Sequence, residues 1–147
     1  MEMGTPKHLV HILRKLYEGN SASVRIDNAT SFPLHPTAGV RQGCILSPLL
    51  FNIYTEHIMR IALEDWTDGI AVGGKKLCNL RYADDTTLIA STKEHIEELL
   101  RRIETASLDF GLKLNRQKTK MMVVDKKCDN SHVDNEIAKC EVVSSYT

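Results

Sequence analysis

Three segments of the chain repeat apolar side chains at intervals of three and four residues, the period of an amphipathic helix. The first predicted helix follows Thr5 and Pro6, which suit an N-cap and a first helical position, and it ends before Gly19. The second begins at Ser47, and the third follows a capping-box pattern at Ser91. The apolar positions are Leu9, Ile12, Leu13, Leu16 and Tyr17; Leu50, Ile53, Tyr54, Ile58, Ile61 and Ala62; and Ile96, Leu99, Leu100, Ile103 and Phe110. Each apolar face predicts packing against a core.

Shorter apolar runs between these helices predict strands joined by tight turns. A hairpin is expected within residues 23–34, with its turn at residues 28–30. Gly73 and Gly74 predict a two-residue hairpin loop, because glycine adopts the positive φ angles of primed turns. Residues 112–114 and 121–124 are expected to form two strands around a polar loop. The pattern predicts an α+β fold, with helices packed on one face of an antiparallel sheet.

Composition narrows the class of protein. The 147 residues are 42% hydrophobic and 26% charged, which is ordinary for a globular domain. Basic and acidic residues number 19 each, and this balance argues against a nucleic-acid binder that relies on bulk charge. No apolar run approaches the ~18 residues of a membrane span, and no signal-peptide pattern opens the chain. We therefore expect an intracellular protein, cytoplasmic or nuclear, with no membrane partner.

Candidate chemistry concentrates at Tyr82-Ala83-Asp84-Asp85, which lies between two short β-like runs. A hairpin tip there would aim the carboxylates of Asp84 and Asp85 at one point outside the sheet. Carboxylates are preferred ligands of Mg²⁺, although the ion takes about six oxygens and two acids supply only part of that set. The alternative is a solvated turn, since aspartate is a common turn residue.

Two further stretches could contact a ligand. Gly39 and Gly43 frame a segment whose backbone freedom would let the main chain and the Gln42 amide approach a planar or phosphate-bearing group. The alternative is a glycine-rich connector. Residues 113–127 contain six basic side chains and one acid, so this stretch could face phosphates or could simply be a solvated charged turn.

Three of these motifs together resemble consecutive palm motifs of reverse transcriptases, most closely those of non-LTR retrotransposons. The motifs are Gly39-Val40-Arg41-Gln42-Gly43-Cys44-Ile45-Leu46-Ser47-Pro48-Leu49-Leu50-Phe51-Asn52, Tyr82-Ala83-Asp84-Asp85, and Gly111-Leu112-Lys113-Leu114-Asn115 with Lys118-Thr119. The resemblance covers residues 1–127 as a partial palm. Residues 128–147 are expected to form a polar loop and the start of a truncated strand.

The resemblance implies RNA-templated DNA synthesis by a two-metal mechanism with Mg²⁺ or Mn²⁺. Asp84 would be a metal ligand and Asp85 would support the site, both as catalytic residues. Lys118 would contact or protonate the leaving phosphates. The residues expected to bind substrate or template are Gly39, Arg41, Gln42, Gly43, Tyr82 and Ala83. The implied partners are an RNA template, a DNA primer, deoxynucleoside triphosphates and the remaining polymerase domains of a longer parent protein.

Departures from the family pattern limit this interpretation. The family has a further metal-binding aspartate on a strand just before the helix that corresponds to residues 6–17, and no counterpart precedes that helix here. Fingers and thumb are also missing. We therefore expect this chain to be inactive alone, and the alternative is a non-catalytic remnant that binds nucleic acid or protein. A metal-dependent phosphohydrolase is less favoured, because it would have no use for a template pocket.

Overall fold

The computed structural model describes residues 3–124, 136–137 and 140–143. These residues belong to two compact units, one ending at Ile53 and the other beginning at Tyr54. Of the polar loop and truncated strand predicted for residues 128–147, residues 136–137 and 140–143 are described, and residues 136–137 form a strand where the loop is expected. No helix in the described part of the chain is long and apolar enough to cross a membrane.

The first unit contains a helix and a short hairpin. Helix α1 (Lys7–Tyr17) has Pro6 as its N-cap, with φ −58° and ψ 141° and no side-chain hydrogen bond, so the predicted cap at Thr5 is wrong. The Pro6 carbonyl accepts the first intrahelical bonds itself, at 3.0 and 3.2 Å. Proline suits this position because its fixed φ needs no adjustment and it has no N–H to satisfy.

The hairpin pairs strand β1 (Arg25–Ile26) with strand β2 (Ala29–Thr30) in antiparallel register. Its loop begins at Asp27, which has a φ of 50°, so the turn lies one residue earlier than the sequence predicts. Aspartate tolerates this left-handed conformation better than most residues. The chain does return as far as Leu34, whose amide and carbonyl exchange hydrogen bonds with Ala22 at 2.7 and 2.8 Å.

Helix α2 (Ser47–Ala62) begins in the first unit and ends in the second, and its start at Ser47 is as predicted. The Ser47 hydroxyl does not act as the expected N-cap acceptor. It is 6% exposed and donates to the Arg41 carbonyl at 2.5 Å, while the Ser47 amide donates to the Cys44 carbonyl at 3.1 Å. The hydroxyl therefore fastens the preceding loop to the helix.

The core of the second unit lies between α2 and helix α3 (Lys93–Asp109). The buried cluster consists of Ile58 and Ala62 from α2 and Ala106 from α3, with Ile103, Phe110 and Leu112 packed against it. Helix α3 starts at Lys93, and its cap is Thr92 rather than the Ser91 of the predicted capping box; the Thr92 hydroxyl accepts from the His95 amide at 3.2 Å. The apolar faces predicted for the two helices therefore pack against each other.

The strands of the second unit form small sheets. They are β3 (Ile70–Val72), β4 (Lys75–Leu77), β5 (Asn79–Tyr82), β6 (Asp85–Leu88), β7 (Lys120–Met121), β8 (Glu136–Ile137) and β9 (Cys140–Val142). β3 and β4 form the predicted Gly73-Gly74 hairpin, with φ angles of 56° and 78° in its loop. β5 and β6 form a second antiparallel hairpin, whereas β9 pairs parallel to β7 and antiparallel to β8. The α+β class is confirmed, but the strands are distributed over several small sheets.

Residues 112–114 do not form the expected strand. The amide of Leu112 closes the end of α3 by donating to the Ser107 carbonyl at 2.9 Å, beside Gly111 with a φ of 74°. This is the bond that follows a helix ending on a left-handed glycine. Because Leu112 completes the helix end and packs on the core, its backbone is not available for a sheet.

Candidate functional site

The Tyr82-Ala83-Asp84-Asp85 motif forms the tip of the β5–β6 hairpin. Tyr82 and Asp85 face each other as the last strand pair, so Ala83 and Asp84 form a two-residue loop. The predicted hairpin is confirmed, with Asp84 in the loop and Asp85 as the first residue of β6. Ala83 has a φ of 53°, a left-handed conformation that costs a non-glycine residue about 1 kcal/mol.

One face of this hairpin is open. Directly opposed residues of an antiparallel pair share a face, so Tyr82 and Asp85 lie on the same side as Leu80 and Thr87. Tyr82 is 85% exposed and Leu80 is 53% exposed. An acid and an aromatic ring therefore stand together on a surface that a ligand can reach.

The opposite face is tied to helix α2 by a charged network. Arg81 donates to Glu56 at 2.7 Å, and Arg60 donates to the other oxygen of Glu56 at 2.8 Å. Hydrogen bonds from Arg60 first, and then from Arg81, lower the pKa of Glu56 from its ordinary value. Since Arg81 precedes the motif directly, the network fixes how the hairpin sits on α2.

The segment that follows β6 is also fixed, by hydrogen bonds to Asp68. The Asp68 carboxylate accepts from the Ser91 amide at 2.9 Å and from the Ser91 hydroxyl at 2.7 Å, and it lies 3.0 Å from Nδ1 of His95. The Ser91 amide is the main cause that lowers the pKa of Asp68 well below its ordinary range. This cluster joins the residues after β6 to the loop before β3.

The two acids at the tip are available to a metal. Neither the Asp84 nor the Asp85 carboxylate forms a hydrogen bond or an ion pair with another described residue. Among the described residues, no group of three or more His, Cys, Asp or Glu side chains is arranged to hold a metal ion. Mg²⁺ usually takes one or two protein carboxylates together with waters and substrate phosphates. The donor set therefore fits part of a magnesium site.

Lys118 lies in a single helical turn after α3. Its amide donates to the carbonyl and side-chain oxygens of Asn115 at 3.1 and 3.2 Å, and Thr119 donates to the same carbonyl through its amide at 3.0 Å and its hydroxyl at 2.8 Å. Lys118 is exposed and forms no ion pair with Asp84 or Asp85, so its role toward phosphates stays a prediction. Of the basic stretch around it, Lys126 and Lys127 lie outside the described residues.

The Gly39 to Gly43 loop belongs to the first unit. Gly39 and Gly43 have φ angles of 96° and 79°, and a Cβ at either position would meet nothing within 4 Å. These glycines are therefore required for backbone conformation and not for space. Gln42 is exposed, and contact of its amide with a ligand stays a prediction.

Arg41 has a structural partner that the sequence did not indicate. Its guanidinium donates to the Leu16 carbonyl at 3.1 Å and to the Asn20 side chain, and it lies 5.7 Å from the centre of the Tyr17 ring. These residues form the C-terminal end of α1, where a cation is favoured by the helix dipole. Arg41 thus ties the loop to α1, and its contact with template stays a prediction.

The site residues predicted from the sequence therefore form two groups. Gly39, Arg41, Gln42 and Gly43 share a loop of the first unit, and Tyr82, Ala83, Asp84, Asp85 and Lys118 belong to the second. Sequence reasoning missed three residues that hold the hairpin in place: Glu56, Arg81 and Asp68. No local pattern distinguishes them, because their partners are distant in the sequence.

Comparison with known proteins gives consistent matches. The model of the family described as "Reverse transcriptase (RNA-dependent DNA polymerase)" matches residues 1–138. The retrovirus-related Pol polyprotein from type-2 retrotransposable element R2DM of Drosophila melanogaster is 35% identical over 119 residues, 78% of this chain. A Pol polyprotein from a type-1 retrotransposable element R2 of Nasonia vitripennis is 31% identical over 113 residues, 77% of this chain. The chain spans 11% of the length of each relative.

Proposed function

The chain belongs to the reverse transcriptase (RNA-dependent DNA polymerase) family, and on that premise we propose that it forms a palm segment carrying two carboxylates of a polymerase centre. The reaction is RNA-templated DNA synthesis, carried out within a longer protein. Its partners are an RNA template, a DNA primer, deoxynucleoside triphosphates and the remaining polymerase domains. The observation that supports this proposal is the β5–β6 hairpin, which presents Asp84 and Asp85 unpaired at an exposed tip.

Asp84 and Asp85 are the proposed ligands for Mg²⁺ or Mn²⁺. When bound, such ions would activate the primer 3′-hydroxyl and neutralise the charge on the triphosphate. The small side chain of Ala83 leaves room for the primer or nucleotide beside the acids. Tyr82 shares the open face with Asp85, where its ring can stack on a base or sugar.

The remaining residues are proposed to contact the leaving pyrophosphate, the template and the incoming nucleotide. The primer 3′-oxygen forms a bond to the α-phosphorus, the bond from that phosphorus to the bridging oxygen breaks, and pyrophosphate leaves. Lys118, with its exposed ammonium group, donates a hydrogen bond or a proton to that pyrophosphate. Gly39, Arg41, Gln42 and Gly43 form the loop proposed to shape the pocket for template and incoming nucleotide.

Two carboxylates do not complete the centre. The two-metal arrangement holds ions about 4 Å apart and needs a carboxylate scaffold that bridges them. We propose that the family's further metal-binding aspartate, on a strand before the helix that corresponds to residues 6–17, comes from elsewhere in the longer protein. Residues 1–147 alone would then extend no primer.

A chimera tests this function. The segment of the Drosophila melanogaster R2DM polyprotein that matches this chain over 119 residues is replaced by the corresponding residues of this chain. Primer extension is then measured on an RNA template with Mg²⁺ and all four nucleotides. We expect the chimera to extend the primer and Asp84→Asn to abolish extension. Asp27→Asn is the matched control, because Asp27 also lies in a two-residue hairpin loop, and it should leave extension unchanged.

The outcomes separate the components of the proposal. Equal extension by the chimera and its Asp84→Asn variant would show that the hairpin is not the metal site. Nucleotide incorporation by residues 1–147 alone, stopped by Asp84→Asn, would refute the need for another carboxylate. A chimera that binds primer and template but extends nothing would favour a non-catalytic remnant.

A further inference from the structure

The turn that carries Lys118 is fastened to helix α3 by an ion pair between Arg116 and Glu104. Nε of Arg116 donates to one oxygen of Glu104 at 3.2 Å, and Nη2 donates to the other oxygen. Nη1 of Arg116 lies 3.9 Å from Sγ of Cys140, which is 1% exposed on β9. One guanidinium therefore joins the turn to α3 and to β9.

The geometry of the Arg116–Glu104 pair fixes the orientation of the Arg116 side chain on α3 as well as its distance from the helix. A guanidinium that meets both oxygens of a carboxylate resists rotation in a way that a single hydrogen bond does not. The side chains of Arg116 and Glu104 are 35% and 31% exposed, so the pair is partly shielded from water and salt. The hydrogen bond that Arg116 donates to Glu104 is the main cause that raises the pKa of Arg116.

The spacing between Arg116 and Lys118 determines which way the Lys118 side chain points when Arg116 is paired with Glu104. Both residues lie in one helical turn, closed by bonds from Lys118 and Thr119 to the Asn115 carbonyl. Side chains two positions apart on a helical turn are separated by about 160° around its axis, because each residue advances by about 100°. With Arg116 held against α3, the stem of Lys118 is directed to the opposite side, where it is exposed.

We propose that Arg116 is a positioning residue for Lys118 and that Glu104 is its anchor. The inference rests on the proposed function, in which Lys118 meets the leaving pyrophosphate. Loss of the anchor would let the turn rotate and move the ammonium group away from the phosphates. A displacement of about 1 Å is enough to lower a catalytic rate by one to two orders of magnitude.

The test uses the chimera and single-turnover nucleotide addition. Glu104→Gln keeps the size of the side chain and removes its charge, and we expect the rate at saturating nucleotide to fall about tenfold with little change in half-saturation. In a Lys118→Ala background the same substitution should cause no further loss, because the group it positions is absent. The exchanged pair Glu104→Arg with Arg116→Glu should restore part of the rate. Glu98→Gln is the matched control, since Glu98 pairs with Arg101 on the same helix and should leave the rate unchanged.

Each outcome decides between the possible roles. An equal loss from Glu104→Gln with and without Lys118 would mean that the pair only stabilises the fold, and would overturn the proposal. If Lys118→Ala alone has no effect, the role of Lys118 is wrong, while the Asp84→Asn result still decides the proposed metal site. The isolated chain gives an independent measurement: we expect amide hydrogen exchange at Lys118 and Thr119 to accelerate about tenfold in Glu104→Gln. Unchanged exchange would also overturn the proposal.

Discussion

Substitution of Asp68 measures how strongly the residues after β6 are held to the loop before β3. Its carboxylate accepts both polar hydrogens of Ser91 and lies 3.0 Å from Nδ1 of His95, and the side chain is only 15% exposed. In Asp68→Asn the amide oxygen can still accept one of these donors, but the charge and the second acceptor are lost. Hydrogen bonds to a charged group contribute about 1.5–3 kcal/mol each, so we expect the free energy of unfolding to fall by about 2 kcal/mol.

The effect of Asp68 should depend on pH in a defined direction. Hydrogen bonds from Ser91 hold the pKa of Asp68 in the folded chain below its value in the unfolded chain. Stabilisation by such a group is complete above the unfolded pKa of about 3.9, and it is lost as the pH falls toward the lower folded pKa. The difference in stability between the unsubstituted chain and Asp68→Asn should therefore shrink as the pH falls below about 5.

The assay is urea unfolding followed by the fluorescence of Trp66, the single tryptophan of the chain. Its ring centre lies 6.1 Å from that of His95, so its signal reports on this cluster. Asp65→Asn is the matched control, because Asp65 is exposed and its φ of 59° suits asparagine equally well. The reasoning would be refuted if Asp68→Asn cost under about 0.5 kcal/mol, or if its cost did not change between about pH 6 and 3.

Three backbone positions allow further predictions by the same unfolding assay. Ala83→Gly should raise the free energy of unfolding by about 0.5–1 kcal/mol, because Ala83 has a φ of 53° that glycine adopts without strain; a loss of stability would contradict this. Gly69→Ala should lower it by about 3 kcal/mol, because a Cβ there would lie 2.5 Å from the Leu77 carbonyl oxygen at a φ of 137°. Gly74→Ala, whose Cβ would meet nothing within 4 Å at a φ of 78°, should cost only about 1 kcal/mol, and equal costs at the two glycines would contradict the steric argument.

Elements with a complete local signal could be predicted from the sequence. The apolar faces of α2 and α3, the Gly73-Gly74 loop and the hairpin at Tyr82 to Asp85 each follow from residues within one short segment. The cap of α3 shows where local signals fail. Ser91 and Thr92 are chemically equivalent as caps, and the choice of Thr92 depends on Asp68, which takes the Ser91 hydroxyl from 23 positions away. A local pattern holds no information about such a competitor.

Local patterns predict the candidate catalytic residues, but they do not predict the residues that hold these in place, because the partners of the latter are distant in the sequence. Arg81 pairs with Glu56 across 25 positions and Arg116 pairs with Glu104 across 12, so both depend on which helix faces meet the hairpin and the turn. Arg41 shows the converse, because the motif predicts a ligand contact while its guanidinium is engaged by Leu16 and Asn20 at the end of α1. Both of these bonds use Nη2, so Nε and Nη1 of the exposed guanidinium can still donate to a template while Arg41 holds the loop. Contact of Arg41 or Gln42 with a template stays a prediction.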